Sequence, residues 1–191
     1  MFLRIFEANN KTYNIMESSN IDYEIAFDSF KNKIKEMAVG SIKRTGIKKI
    51  AKPVLILTII KGIEDGIFKQ NYFEYEILEK IYKSIFDKYA NIAKQSEYTQ
   101  LYYPFYHLQS SGFWHLNYIS PNSKRNPLIT SAAWVRNNVE YAYINPILWE
   151  ILQHKEFRNR LAEFIVEERI KTATANSRSM LHMFLNWLVA I

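Results

Sequence analysis

The 191-residue sequence contains no cysteine. That absence excludes disulfides, cysteine-ligated zinc, iron–sulfur clusters and thiol nucleophiles together, so any catalytic metal would have to rely on His and carboxylates. Long apolar runs are missing as well. None reaches the roughly 18 residues of a membrane span, and residues 1–20 lack the basic start and apolar stretch of a secretory signal. The expectation is a cytoplasmic protein without membrane contact. Also absent are a Gly-rich phosphate loop, a nucleophile elbow, a metal-binding His pair, an internal repeat and any low-complexity segment. What is present, 48% hydrophobic residues in a chain of ordinary domain length, suffices for one packed core.

The net charge is +6, and it is unevenly placed. Lys31, Lys33, Lys35, Lys43, Arg44, Lys48, Lys49, Lys52 and Lys61 face a single acid, Glu36, within one stretch of the chain. Such a block focuses potential toward a polyanion, and nucleic acid is the expected partner. A solvated lysine-rich face is the competing explanation.

Periodicity predicts a predominantly helical α+β fold: a helical core with a small antiparallel hairpin or sheet near residues 101–143. Residues 1–20 form an arm ahead of the first amphipathic helix, Ile21 to Val39, which Gly40 ends. Pro53 sits in the first turn of an apolar helix through Ile60, and a second amphipathic helix runs from about Glu74 to Ala93. Leu101 to Ile119, with seven aromatic rings and two histidines around Ser110-Ser111-Gly112, reads as two short strands folded on one another. Trp134 to Tyr143 adds a third. Asn145-Pro146 caps and opens a helix through about His154, and Glu156 to Ile170 is another. Residues 171–191 end in an apolar helix, Ser177 to Ile191, that packs on the domain or on a partner.

Four blocks in order carry a resemblance. They are Lys52-Pro53-Val54-Leu55-Ile56-Leu57-Thr58-Ile59-Ile60, the turn Ile63-Glu64-Asp65-Gly66-Ile67, the pair Pro104-Phe105-Tyr106-His107-Leu108 and Gly112-Phe113-Trp114-His115-Leu116, and Asn145-Pro146-Ile147-Leu148-Trp149-Glu150-Ile151-Leu152. Over residues 21–170 the chain resembles the sulfur-binding domain of phosphorothioate-dependent, McrA-like type IV restriction endonucleases. The resemblance implies a bacterial defence protein that binds double-stranded DNA in which sulfur replaces a non-bridging phosphate oxygen. The sulfur sits in a shallow apolar cavity, with cations and histidines on the neighbouring backbone. Sulfur is larger and less well hydrated than oxygen, so an apolar cup favours it.

Carried across, Pro146 matches the cavity proline, with Asn145, Trp149 and His115 as further cavity candidates. His107, Lys124, Arg125, Lys43, Arg44, Lys48 and Lys49 are the candidates for the DNA backbone. The relatives carry an aromatic before that proline and a small residue three after it, so Asn145 and Trp149 imply a cup of different shape. Histidine where relatives carry Arg weakens phosphate contact and makes it depend on pH.

The metal nuclease module that those endonucleases append is not expected within these residues, which offer no cysteine and no paired-His motif for it, and no cofactor is implied. The carboxylate groups Glu74, Glu76 and Glu79 with Lys80, and Glu163, Glu167 and Glu168 with Lys171, fall at the spacing of solvated helix faces. The expectation is therefore a DNA-binding domain that does not cut. Two other classes stay open: a compact metal-dependent nuclease, and a protein-interaction subunit of a DNA-modification defence system. The last helix is the expected contact for a second copy or a nuclease partner.

Overall fold

Helix α2, Ala51–Glu64, is buried along almost its whole length, from Ala51 through Ile63, as expected for an apolar run that opens with a proline in its first turn. In the computed structural model, which describes residues 22–123 and 131–174, the other helices are arranged around it. These are α1 (residues 22–36), α3 (Tyr75–Ile92), α4 (Tyr102–His107), α5 (Ala132–Asn138), α6 (Pro146–Gln153) and α7 (Lys155–Ile165). The chain continues from α7 through a π turn to Ile170 and a 3-10 turn to Thr174. No helix among the described residues is long and apolar enough to cross a membrane.

One antiparallel sheet completes the fold. Strand β1, Trp114–Tyr118, pairs with β2, Val139–Ile144, with Trp114 opposite Ile144 and His115 opposite Tyr143. The far edge of β2 is closed by the segment before α3. Phe73 exchanges two main-chain hydrogen bonds with Ala142 (2.7 and 2.9 Å), and the Asn71 amide accepts from Ile144 N and donates to Ile144 O. That side chain imitates a strand and leaves less unpaired edge.

Several elements depart from the sequence-based expectation. The expected hairpin of residues 101–119 is not one: its first arm is α4 followed by a 3-10 turn, Leu108–Ser111, and only its second arm is a strand. The buried residues Leu101, Pro104, Phe105 and Leu108 recur at three- and one-residue steps, a helical period that the β-forming aromatics obscured. Gly112, at φ 74°, turns the chain into β1. The expected third strand, Trp134 to Tyr143, is half helix and half strand. Its helix starts where the Ser131 hydroxyl accepts from Trp134 N (3.2 Å), and a bulge at Asn117/Tyr118 breaks the alternation of the strand that follows. Helix α1 stops at residue 36 rather than at Val39, and the Arg169 guanidinium satisfies the carbonyls of Lys35 and Met37 at its end. The α2, α3, α6 and α7 helices match their predicted positions. The arm of residues 1–20, the helix of residues 177–191 and the pair Lys124-Arg125 lie outside the described residues.

Beyond α2 the chain folds straight back. Ile67 N and Phe68 N both donate to the Gly62 carbonyl (2.8 and 3.1 Å), seating the Phe68 ring over Gly62. A Cβ at position 62 would lie 2.3 Å from that ring, which is itself buried edge-on to Phe73. Gly62→Ala is therefore expected to destabilise by about 1–3 kcal/mol through overpacking, although alanine is the better helix former. Urea denaturation reads the loss, and in a Phe68→Ala background the same change should be neutral or mildly stabilising.

Candidate nucleic-acid interface

The outer face of the sheet carries rings. Alternation along β1 and β2 turns Trp114, Leu116, Ala142 and Ile144 into the core and leaves His115, Tyr141 and Tyr143 half-buried on the other side. His115 stacks on Tyr143 at 5.0 Å, Tyr143 neighbours Tyr141 at 6.4 Å, and Tyr141 neighbours Tyr72 at 5.9 Å. The chain leaves β2 through Asn145, whose N–H donates to the Phe113 carbonyl (2.8 Å).

Asn145 then does what its sequence predicts: its side-chain oxygen accepts from Ile147 N (2.9 Å), and Pro146 takes the first helical position. Pro146 and Ile147 are both exposed, so an apolar step stands at the start of α6, within three residues of Tyr143. Trp149 leans the other way, edge-on to the buried Phe73 at 6.1 Å. The structure thus groups Pro146 and Asn145 close to the His115–Tyr143 pair, while Trp149 lies mostly against the core.

A second group of predicted residues converges at the N-terminal end of α2. Ala38, Val39, Gly40, Lys49, Ala51, Lys52, Tyr103, His107 and Ser110 line a cleft of about 300 Å³. The Lys52 ammonium donates to the Ala38 carbonyl (2.9 Å) and the Ser110 hydroxyl (3.1 Å), and Ser110 donates in turn to the His107 carbonyl (2.9 Å). His107 lies 4.5 Å from the Tyr103 ring, over which the Lys49 ammonium stands at 5.7 Å. Burial, and secondarily the Lys52 charge, hold the His107 imidazole below its ordinary pKa. Burial also lowers Lys52, helped by the charge of Arg169. The segment Ser110–Phe113 joins this cleft to the sheet face.

Lys43, Arg44 and Lys48 project from the turn between them. Ser41 and Lys48 form an isolated antiparallel bridge, Ile42 N donates to Ile47 O (2.8 Å), and Gly46 at φ 70° allows the reversal. These three side chains are exposed, and with Lys49 they have no carboxylate within ion-pair distance among the described residues. Glu97 is the acid that shares a cleft with Lys43, Arg44 and Lys49.

Lys52, Ser110, Tyr103 and Tyr143 were not singled out as site residues from the sequence. Lys52 had a usable signal, since a lysine in the first turn of a helix opposes the helix dipole and is a poor choice for stability alone. The acidic clusters behave as solvated faces: Arg136 pairs with Glu79 (2.5 Å) and Glu76 (3.5 Å), and Lys171 with Glu167 (2.5 Å). Among the described residues no three His or carboxylate side chains converge as a metal site would require.

No family model matches the sequence, and no curated protein matches it. Among solved structures, the sulfur binding domain of SprMcrA complexed with phosphorothioated DNA superposes with a TM-score of 0.55, at 11% sequence identity. The match covers 74% of this chain and 84% of that one. At that identity the likeness is one of fold, and it agrees with the resemblance carried by the four sequence blocks.

Proposed function

We propose that the chain is a DNA-binding domain that recognises phosphorothioate-modified duplex and does not cut it. The observation that carries this reading is a basic turn whose cations have no carboxylate within ion-pair distance among the described residues, together with an exposed proline step at the start of α6, on a fold that in the SprMcrA domain was solved with phosphorothioated DNA. In the proposed arrangement the sulfur rests against the Pro146 ring and Ile147, beside Asn145 and the His115–Tyr143 pair. An oxygen placed there would lose hydration without recovering a hydrogen bond, whereas sulfur loses less. His107, Lys43, Arg44, Lys48 and Lys49 are the proposed contacts to flanking phosphates, joined by Lys124 and Arg125. They supply the sequence-independent, salt-dependent part of the affinity.

Fluorescence anisotropy against matched duplexes, one with a single phosphorothioate and one with ordinary phosphate, tests the reading across a salt series. A preference of about tenfold or more for the sulfur duplex, equal to about 1.4 kcal/mol, is expected in the native protein and should be lost in Pro146→Gly. Equal and steeply salt-dependent binding would leave general DNA binding only. Failure to bind at low salt would point to an interaction subunit, and loss of duplex on adding a divalent ion would point to a nuclease.

A further inference from the structure

Among the described residues the charge at the N-terminal end of α2 has no counterion. Elsewhere two guanidiniums have carboxylate partners: Arg160 holds Glu24 at 2.5 Å, and Arg136 holds Glu79. Around the cleft the cations have none among the described residues. Lys52 and Arg169 spend their hydrogen bonds on neutral acceptors, namely the Ala38, Lys35 and Met37 carbonyls and the Ser110 hydroxyl. An ammonium has three donors, so one N–H of Lys52 is left over. Ala51 and Lys52, at the uncapped start of a 14-residue helix, add the positive end of its dipole.

The groups that face His107 are Tyr103 and Tyr106 on its own helix, Lys52 from α2, Ser110 from the following turn and the Ala38–Gly40 main chain. Among the described residues no carboxylate lines this cleft. Glu97 lines the adjoining clefts that share Lys49.

We propose that the cleft of Lys49, Lys52, Tyr103, His107 and Ser110 is a phosphate seat in which His107 takes up a proton as the anion binds. Resting on the DNA reading above, the phosphate it takes is an internal one of the duplex backbone. In the free protein, burial and the Lys52 charge favour neutral His107; a phosphate oxygen in the cleft offsets that charge and accepts from the imidazolium. The imidazole pKa is therefore higher in the complex than in the free protein. The contribution of His107 to affinity is fully present below the free-state value and is lost as pH rises through the complex-state value. Across that window one proton is linked to binding, which gives up to about tenfold in affinity per pH unit.

The test has two arms on the full chain. In the first, NMR follows the His107 imidazole, assigned by its disappearance in His107→Gln, through pH titrations in millimolar inorganic phosphate and in chloride at matched ionic strength. Phosphate is expected to raise the His107 midpoint by about half a unit or more. The rise should vanish in Lys52→Gln and return in Lys52→Arg; if Lys52→Gln does not fold, the native titration decides alone.

In the second arm, duplex affinity is measured against pH. It should strengthen as pH falls in the native protein and lose most of that dependence in His107→Gln. A His107 midpoint that ignores phosphate while duplex still binds overturns the seat and leaves DNA binding standing. A midpoint that responds to phosphate while duplex affinity is flat with pH overturns the backbone as the source. No duplex binding at any pH overturns the DNA reading, and with it the backbone source, while the first arm still reports the anion.

Discussion

Trp114→Ala is expected to leave the chain without a cooperative unfolding transition. Trp114 is fully buried, stacked on Phe73 at 5.7 Å and 13°, edge-on to Phe105 at 5.5 Å, and its indole N–H donates to the Phe105 carbonyl at 2.7 Å. Truncating a buried tryptophan costs about 3–5 kcal/mol in lost burial and cavity. Orphaning the carbonyl beneath it adds about 1–3 kcal/mol. The sum, about 4–8 kcal/mol, spans the lower end of the roughly 5–15 kcal/mol that a domain possesses.

The position also explains why the loss would spread. Phe73 bridges the far edge of β2, Phe105 belongs to α4, and Trp114 begins β1, so one indole ties the sheet to the helix that carries His107. Trp114→Phe keeps much of the area, loses the donor and part of the buried ring volume, and should retain a transition, weakened by about 1–3 kcal/mol for the orphaned carbonyl and by the smaller cavity besides. Near-ultraviolet circular dichroism with urea titration distinguishes the two variants, and a native-like midpoint in Trp114→Ala would refute this role.

The elements that were legible in the sequence are those whose reasons are local. Pro53 before an apolar run and Asn145-Pro146 before Ile147 each announce a helix start through backbone chemistry that tertiary context had no cause to override. Residues 101–111 misled because Tyr102, Tyr103, Phe105 and Tyr106 are strong strand formers. The burial that makes them a helix depends on Trp114 arriving from further along the chain. The pairing of β1 with β2 joins segments separated by a helix, and its bulge removes the alternation that would have betrayed β2.

The candidate site was legible as charge but not as balance. Lys31 and Lys61 sit in the same basic block as Lys43 and Lys48, yet Lys31 pairs with Asp28 at 3.1 Å and Lys61 with Asp65 at 2.7 Å. Only the folded chain separates paired cations from those without a partner. His115 was likewise visible as a histidine near a proline motif, whereas its stacking partner Tyr143 depends on strand register.

Replacing Lys43, Arg44, Lys48 and Lys49 together by Gln is expected to lower duplex affinity by two to three orders of magnitude or more at low salt, without loss of the fold. The turn that carries them is held by main-chain bonds: Ile42 N to Ile47 O, Gly46 N to Ile42 O and Lys49 N to Gly40 O, each 2.8 Å, and Lys48 N to Ala173 O at 3.1 Å. No ion pair among the described residues is broken by the change, so thermal stability should move little. Each phosphate contact removed flattens the slope of log affinity against log salt by about 0.9, so four contacts reduce it by up to about 3.6. Phosphate contacts carry no information about the sulfur, so both duplexes should weaken alike and their ratio should persist. Pro146→Gly should do the opposite, collapsing the ratio while the salt slope stays. If the quadruple variant keeps its affinity and slope, the basic turn is a solvated face and the duplex approaches from elsewhere. If it loses the ratio as well, the cations do not act independently of the sulfur cup.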